Sequence, residues 1–156
     1  EQVRHLALGL EDLGITAQDR VAILSENRPE WLLTDYACMC SGITNVPIYA
    51  TLPAEQIPYL LNDSGARAVI VSTTDQARKL ASIRAETPGL QWVIGVTATK
   101  ADGCDLTFAE LLARGAARDN AERATAFKER ALQITPDTLL TLIYTSGTTG
   151  NPKGVM

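Results

Sequence analysis

Residues near the carboxyl-terminal end of the 156-residue chain have the types and spacing expected of a phosphate-binding loop. They are glycines, hydroxyl residues and one lysine, in the order Thr145-Ser146-Gly147-Thr148-Thr149-Gly150-Asn151-Pro152-Lys153-Gly154. Glycine has no Cβ, so the backbone can adopt positive φ angles and turn several N–H groups toward one point. Hydroxyl groups can donate to phosphate oxygens or ligate magnesium, and a lysine adds positive charge. We therefore predict a polyphosphate site here.

Neither of the two common phosphate-binding patterns fits this cluster. In the pattern G-x-x-x-x-G-K-[ST], a glycine is required where Pro152 stands, and Lys153 is not followed by a hydroxyl residue. The dinucleotide pattern G-x-G-x-x-G fails because no glycine lies two positions before Gly147. Residues 153–156 are typical of a strand, so no helix dipole is expected at the phosphates. The alternative is a glycine-rich hairpin without a special function.

A strand must position this loop. Residues 139–144 are mostly apolar or β-branched, which predicts a buried strand that delivers the loop to the end of a sheet. Further upstream, apolar runs alternate with helical patterns. The expected strands are 20–24, 45–49, 68–71 and 92–96, and the expected helices are 2–13, 29–41, 57 to a stop at 62–65, and about 75–86.

This alternation predicts an α/β fold, a parallel sheet with flanking helices. Capping-box spacing at Asn27 with Glu30, and at Thr107 with Glu110, predicts two helix starts. Pro47 favours an end or edge position for the second strand. Residues 115–133 are alanine-rich and charged, and we interpret them as a solvated helix or a loose excursion between strands.

Other residues with chemical potential are assigned structural roles. His5 is expected to be a surface or half-buried helix residue, and Asp63 a helix-capping residue. The aromatic residues are expected to pack in the core: Trp31, Tyr49, Tyr59 and Trp92. The thiols are interpreted as buried small side chains in a reducing compartment rather than metal ligands or a disulfide: Cys38, Cys40 and Cys104.

The overall composition is that of one soluble globular domain, with 46% hydrophobic and 21% charged residues. A net charge of -4 argues against a basic face for nucleic acid or an anionic membrane. No apolar run reaches the roughly 18 residues of a membrane helix. We expect a cytoplasmic protein, with membrane association in the full protein. Because the chain opens on what reads as the middle of a helix, we also expect an excerpt of a longer protein.

Twelve consecutive residues, Tyr144–Val155, resemble the signature of the adenylate-forming superfamily, which comprises acyl-CoA synthetases, luciferases and peptide-synthetase adenylation domains. Upstream blocks are similar to the same family in order and spacing: Ser41–Tyr49, Glu55–Ile57 and Asn62–Arg67. The resemblance implies that residues 1–156 form a single α/β domain fragment from the large N-terminal domain, with the phosphate loop at 145–154. The family's adenine, ribose and acidic magnesium elements, and its C-terminal lysine, would lie outside the chain. We therefore expect the piece alone to be inactive.

The resemblance also implies roles for the loop residues. The β- and γ-phosphates of ATP would be embraced by Thr145, Ser146, Gly147, Thr148, Thr149 and Gly150. Lys153 would steady the loop or the leaving pyrophosphate, and Thr145 would lie near magnesium. In the implied reaction a carboxylate attacks the α-phosphorus to give acyl-AMP, and the thiol of coenzyme A then takes the acyl group. Such a displacement requires charge neutralisation on pyrophosphate more than a protein nucleophile. No catalytic residue is assigned within the chain.

The acid is suggested by two segments. Residues 46–52 and 142–145 resemble the long-chain fatty acyl-CoA synthetases more than the activators of acetate or amino acids. A fatty acid, ATP and coenzyme A are thus the expected small-molecule partners. The alternatives are another adenylating enzyme, such as a peptide-synthetase adenylation domain or a luciferase-like enzyme, and a non-catalytic phosphate-binding module. Uncovered apolar edges or faces are also expected to make the piece self-associate.

Overall fold

A computed structural model describes residues 1–145 and 152–156, in which the predicted strands pair as a parallel sheet. Strand β1 (Arg20–Leu24) pairs with β2 (Thr44–Ile48) on one side and β3 (Ala68–Val71) on the other. Beyond β3 lie β4 (Trp92–Gly95) and the short β5 (Leu106–Thr107). The last four residues of β1 are fully buried, as expected where helices cover both faces of a parallel sheet. The predicted α/β fold is confirmed.

Helices cover both faces of this sheet. Within the described residues they are α1 (Gln2–Asp12), α2 (Pro29–Ser41), α3 (Ile57–Ser64), α4 (Thr74–Ile83), α5 (Phe108–Arg118) and α6 (Ala121–Leu132). On one face, side chains such as Ala22 and Val69 pack with α3 and α4. On the other, Val21 and Ile70 pack with α1, α2 and α5. None of the helices in the described ranges has the length and apolar character that crossing a bilayer requires.

Residues at the helix ends themselves determine where most of the helices begin or end. Gly42 and Gly65 follow α2 and α3 with φ angles of 66° and 65°, the left-handed conformation that glycine adopts most readily. At the start of α5, Thr107 and Glu110 form the predicted reciprocal capping box. The predicted capping box at the start of α2 is wrong. Arg28 is the N-cap there, and its Nε donates to the Glu30 carboxylate at 2.7 Å, which removes the capping partner.

The interpretation of residues 115–133 as a solvated helix or a loose excursion is wrong at Gly115, whereas α6, in the same stretch, is a solvated helix with no buried residue. Gly115 is buried in α5, and a Cβ at this position would overlap the backbone oxygen of His5 in α1. Just beyond α5, Asp119 accepts from Arg4 Nη2 at 2.7 Å and lies 2.9 Å from His5 Nε2. The Arg4 hydrogen bond lowers the pKa of Asp119. His5 therefore has the structural role expected of it, in the packing of α1 on α5.

The segment before the phosphate loop docks on the outer edge of β2. Asn45 donates its backbone N–H to Leu140 O and accepts from Leu142 N–H, both at 2.9 Å, so that Thr141 forms a parallel bridge with Asn45. The next outward-facing position of β2 is Pro47, which has no N–H to continue the ladder. The sheet contact consequently stops after one bridge.

Beyond this bridge the chain leaves the sheet. Strands β6 (Ile143–Thr145) and β7 (Lys153–Val155) form a separate antiparallel pair. The prediction of a buried strand over 139–144 is wrong in this respect, since Ile143 is 44% exposed and only Tyr144 is buried within β6. A strand after the loop was predicted correctly.

The side chain of Asn45 completes the docking. It is buried, donates to the Asp35 carboxylate and accepts from Thr141 Oγ1 at 2.6 Å. Thr44 adds a 2.8 Å hydrogen bond to Leu139 O. Burial raises the pKa of Asp35, and the Asn45 hydrogen bond opposes this. The Asn45 side chain thus gives hydrogen-bond partners to the Asp35 carboxylate and the Thr141 hydroxyl, and its own amide is satisfied by them. It is the main polar contact between β2 and residues 139–142.

Replacing Gly115 with alanine is expected to destabilise the protein strongly, because the new methyl group must displace the backbone of α1. We expect a loss of about 3 kcal/mol in the free energy of unfolding, the upper end of the usual range for overpacking, measured by urea denaturation. Gly89→Ala is the matched control, since a Cβ there meets no atom within 4 Å. Equal effects of the two substitutions would contradict the close α1–α5 contact.

Replacing Asn45 with alanine is expected to lower the free energy of unfolding by about 2 kcal/mol, because the partly buried Asp35 carboxylate loses a donor and Thr141 an acceptor. Asn62→Ala is the control: its side chain also donates one hydrogen bond, to Glu86 O, but at an exposed site. The control is expected to change stability by about 0.5 kcal/mol or less. Chemical denaturation in which both variants unfold alike would argue against the polar docking described above.

Candidate functional site

The two described ends of the predicted phosphate loop lie opposite each other. Thr145 is the last residue of β6, Lys153 is the first of β7, and they face each other in the antiparallel register. Both are exposed. The other predicted site residues lie outside the described residues: Ser146, Gly147, Thr148, Thr149 and Gly150. The structure therefore places the first hydroxyl residue and the lysine of the predicted site opposite each other. The assignment of all seven residues to a phosphate site stays a prediction.

Tyr144 anchors the hairpin immediately before the loop. Its side chain is buried, and its hydroxyl donates to Asp63 Oδ2 at 2.6 Å. The ring of Tyr59 meets it edge to face, with 6.4 Å between ring centroids. Burial raises the pKa of Tyr144, and the hydrogen bond to Asp63 raises it further, so the hydroxyl stays protonated and remains a donor at neutral pH. The sequence analysis missed this pair, whose members are 81 residues apart.

The capping role predicted for Asp63 is wrong. Asp63 lies within α3, and Gly65 ends that helix. The described carboxylate contact of Asp63 is the one with Tyr144 in the loop hairpin. Nothing local to residues 62–65 distinguishes this contact from a capping contact, so only the folded structure identifies it.

Gly154 lets the two strands of the hairpin close on each other. It lies opposite Tyr144, and a Cβ on it would come 2.9 Å from Leu142 Cδ1 and 3.5 Å from Tyr144 Cζ. A larger residue would have to push Leu142 aside. Together, Tyr144 and Gly154 form the neck of the hairpin, which we define as this pair of opposed residues.

Grooves flank the hairpin on either side. One, of about 680 Å³, is lined by Thr44, Asp63, Leu142, Tyr144 and Gly154 among others. The other, of about 750 Å³, lies where β1 and β2 end, and its lining includes Trp31, Tyr49 and Ile143 with the carboxylates of Glu26 and Asp35. Two carboxylates disfavour phosphate in the second groove. The second groove is therefore a poor site for a polyphosphate.

The core position predicted for Tyr49 is wrong. Its side chain is 72% exposed because the residue follows the last position of β2 and lies outside the sheet. The chain just after Tyr49 is held down by α4, since Gln76 Nε2 and Lys79 Nζ both donate to Ala50 O at 2.9 Å. Tyr49 therefore lines the second groove as a surface residue.

The described residues contain neither a metal-binding cluster nor a reactive thiol. Among them no three His, Cys, Asp or Glu side chains are grouped so as to hold a metal ion. Cys38 and Cys104 are buried free thiols. Burial raises the pKa of both, to about 11 for Cys104, so neither is a reactive thiolate at neutral pH.

Comparison with known proteins gives close relatives along the whole chain. The long-chain-fatty-acid–CoA ligase FadD15 of Mycobacterium bovis is 40% identical over 153 residues, which are 98% of this chain and 24% of that protein. The anthranilate CoA ligase AuaEII, solved in complex with anthranoyl-AMP, superposes with a TM-score of 0.83 at 25% identity, covering 99% of this chain and 27% of that one.

A long-chain-fatty-acid-CoA ligase, FadD1 from Archaeoglobus fulgidus, superposes with a TM-score of 0.78 at 26% identity, over 100% of this chain and 28% of that one. The chain thus spans about a quarter of the length of these relatives. Residues 1–156 match the family model described as AMP-binding enzyme. Since that match extends from the first residue to the last, the chain belongs to the AMP-binding enzyme family.

Proposed function

We propose that this chain is the phosphate-loop part of an ATP-dependent acid–thiol ligase, which activates a carboxylate as acyl-AMP and transfers the acyl group to coenzyme A. The observation that carries the proposal is the β6–β7 hairpin, in which Thr145 and Lys153 of the family signature face each other. Residues 1–156 then act as one α/β unit with the phosphate loop at 145–154. A cytoplasmic location is part of the same proposal.

In this proposal the loop binds the β- and γ-phosphates of ATP. Backbone N–H groups and hydroxyls are supplied by Thr145, Ser146, Gly147, Thr148, Thr149 and Gly150. Lys153, at the start of β7, adds positive charge near the leaving pyrophosphate. Magnesium, with Thr145 as one ligand, neutralises further charge on the phosphate oxygens.

The chemistry proceeds by two displacements. A carboxylate oxygen of the acid forms a bond to the α-phosphorus, and the bond from that phosphorus to the β-phosphate oxygen breaks to release pyrophosphate. The thiol of coenzyme A then attacks the acyl carbonyl, and AMP leaves with the electron pair of the acyl–oxygen bond. The first step requires positioning and neutralisation of the pyrophosphate rather than a protein nucleophile. A loop of amides, hydroxyls and one lysine suits that requirement.

A long-chain fatty acid is the proposed acid. The names of the FadD15 and FadD1 relatives support it, as does the resemblance of residues 46–52 to long-chain synthetases. A second candidate is an aromatic acid, because one structural relative is an anthranilate CoA ligase solved in complex with anthranoyl-AMP. The greater sequence identity to FadD15, 40% against 25%, favours the fatty acid.

Self-association of the 156-residue chain by itself remains a prediction. It is supported by apolar side chains at the hairpin that are 44%, 52% and 88% exposed: Ile143, Val155 and Met156. Exposed apolar surface of this kind commonly marks a region that another surface covers.

The function is tested by acid-dependent exchange of labelled pyrophosphate into ATP, using the full-length protein that carries this chain. Palmitate, anthranilate and a panel of amino acids are compared, and we expect palmitate to give the highest rate. Magnesium removal by a chelator should abolish the exchange. The 156-residue chain alone, which lacks most of the family's length, is the negative control. Exchange with amino acids only, or with no acid at all, would refute the proposed ligase.

Replacing Lys153 with methionine in the full-length protein is expected to slow pyrophosphate exchange by about 100-fold, because one charge opposite Thr145 is lost from the phosphate site. Lys128→Met is the control, since Lys128 is an exposed lysine on α6. The control should exchange at the wild-type rate. A Lys153 variant as active as the Lys128 variant would remove Lys153 from the site.

A further inference from the structure

We propose that Asp63 is a positioning residue for the phosphate loop, and that it acts through Tyr144. The proposal rests on the function proposed above and adds a residue that is not part of the loop. The neck of the hairpin, Tyr144 opposite Gly154, is adjacent to Thr145 on one strand and to Lys153 on the other. Any shift of the neck therefore moves both described ends of the loop.

Tyr144 joins the neck to the body of the domain. A buried tyrosine hydroxyl needs an acceptor, and Asp63 Oδ2 is 2.6 Å away, the length of a hydrogen bond to a charged group. Asp63 belongs to α3, whose residues Leu60 and Leu61 are packed in the core against the sheet. The Asp63 carboxylate is therefore fixed relative to the five-stranded sheet, and Tyr144 is fixed relative to Asp63.

The contact controls both strands of the hairpin. Gly154 has no side chain, so the Leu142 and Tyr144 side chains approach the backbone of β7 closely. The ring of Tyr144 thus links α3 to β7 as well as to its own strand. The described hydrogen bonds that attach this segment to β2 involve Leu139, Leu140, Thr141 and Leu142, all of which lie before β6. Near the loop, the orientation of the hairpin depends on the Tyr144–Asp63 hydrogen bond.

A direct role for Asp63 in the chemistry fits less well. Its carboxylate is engaged by Tyr144 on the α3 side of the hairpin, and among the described residues it belongs to no group of three His, Cys, Asp or Glu side chains that could hold a metal ion. Positioning explains the geometry without requiring contact with the nucleotide. Displacement of a phosphate-binding group by about 1 Å can reduce a rate by up to about 100-fold.

The kinetic test uses the full-length protein and four variants. Asp63→Ala and Tyr144→Phe remove the hydrogen bond, Asp63→Asn keeps an acceptor oxygen, and Asp75→Ala is a control at an exposed carboxylate on α4. We expect the first two to lower kcat/KM for ATP in pyrophosphate exchange by about tenfold, with most of the loss in KM. Asp63→Asn and Asp75→Ala should stay within about twofold of wild type.

The second half-reaction separates positioning from general damage. Transfer of the acyl group from supplied acyl-AMP to coenzyme A does not use the triphosphate, so we expect all four variants to retain it within about twofold. Equal loss of both half-reactions, accompanied by a lower Tm, would overturn the proposal in favour of a merely structural contact. An Asp63→Asn variant as impaired as Asp63→Ala would also overturn it, since the acceptor would then not be what matters.

Hydrogen exchange tests the anchoring without requiring turnover. In the full-length protein, peptides containing Tyr144 and Gly154 should exchange about tenfold faster in Asp63→Ala and Tyr144→Phe, and at the wild-type rate in Asp63→Asn. Unchanged exchange in Asp63→Ala would overturn the proposal. If the wild-type protein exchanges pyrophosphate with no acid, the proposed function fails. Faster hydrogen exchange in Asp63→Ala would in that case still support the anchoring of the neck.

Discussion

The docking of residues 139–142 on the edge of β2 determines where the candidate site lies. A single buried asparagine, Asn45, makes the bridge with its backbone and satisfies Asp35 and Thr141 with its side chain. Because Pro47 has no N–H, the ladder cannot continue toward the end of β2. The chain is therefore released from the sheet before it reaches Tyr144. Proline on an edge strand commonly prevents a further strand from pairing there, and Pro47 has the same effect on β2.

The rest of the fold supplies a rigid platform for that edge. The apolar faces of helices cover both sides of the parallel sheet, and contacts such as Gly115 against the backbone of His5 leave no space for adjustment. Interiors packed in this way transmit displacement rather than absorb it. Groups fixed to the platform, including Asn45 in β2 and Asp63 in α3, can thus serve as reference points for a hairpin that lies outside the sheet.

The sequence predicted those features whose cause is local. The apolar run 68–71 predicted a doubly covered strand, Gly42 and Gly65 predicted helix ends, and the spacing of Thr107 and Glu110 predicted a capping box. The sequence could not predict contacts made over long separations. Asp63 and Tyr144 are 81 residues apart, and the buried role of Gly115 depends on α1 rather than on its alanine-rich surroundings. The roles of residues 146–150 come from family resemblance, because their chemistry depends on a nucleotide.

The β6–β7 hairpin is attached by a few polar contacts, so it is locally less stable than the parallel sheet beside it. Within the part of the chain that the structure describes, β6 and β7 pair with each other over three residues each and with no other strand, and Ile143 and Val155 are half exposed. Segments with few buried contacts open at a lower free-energy cost than core strands do. In a ligase of the kind proposed, the loop must bind a triphosphate and then release pyrophosphate. Attachment at Asn45 and at Asp63 would keep β6 and β7 in register with the platform, while local opening of this hairpin would leave the parallel sheet intact.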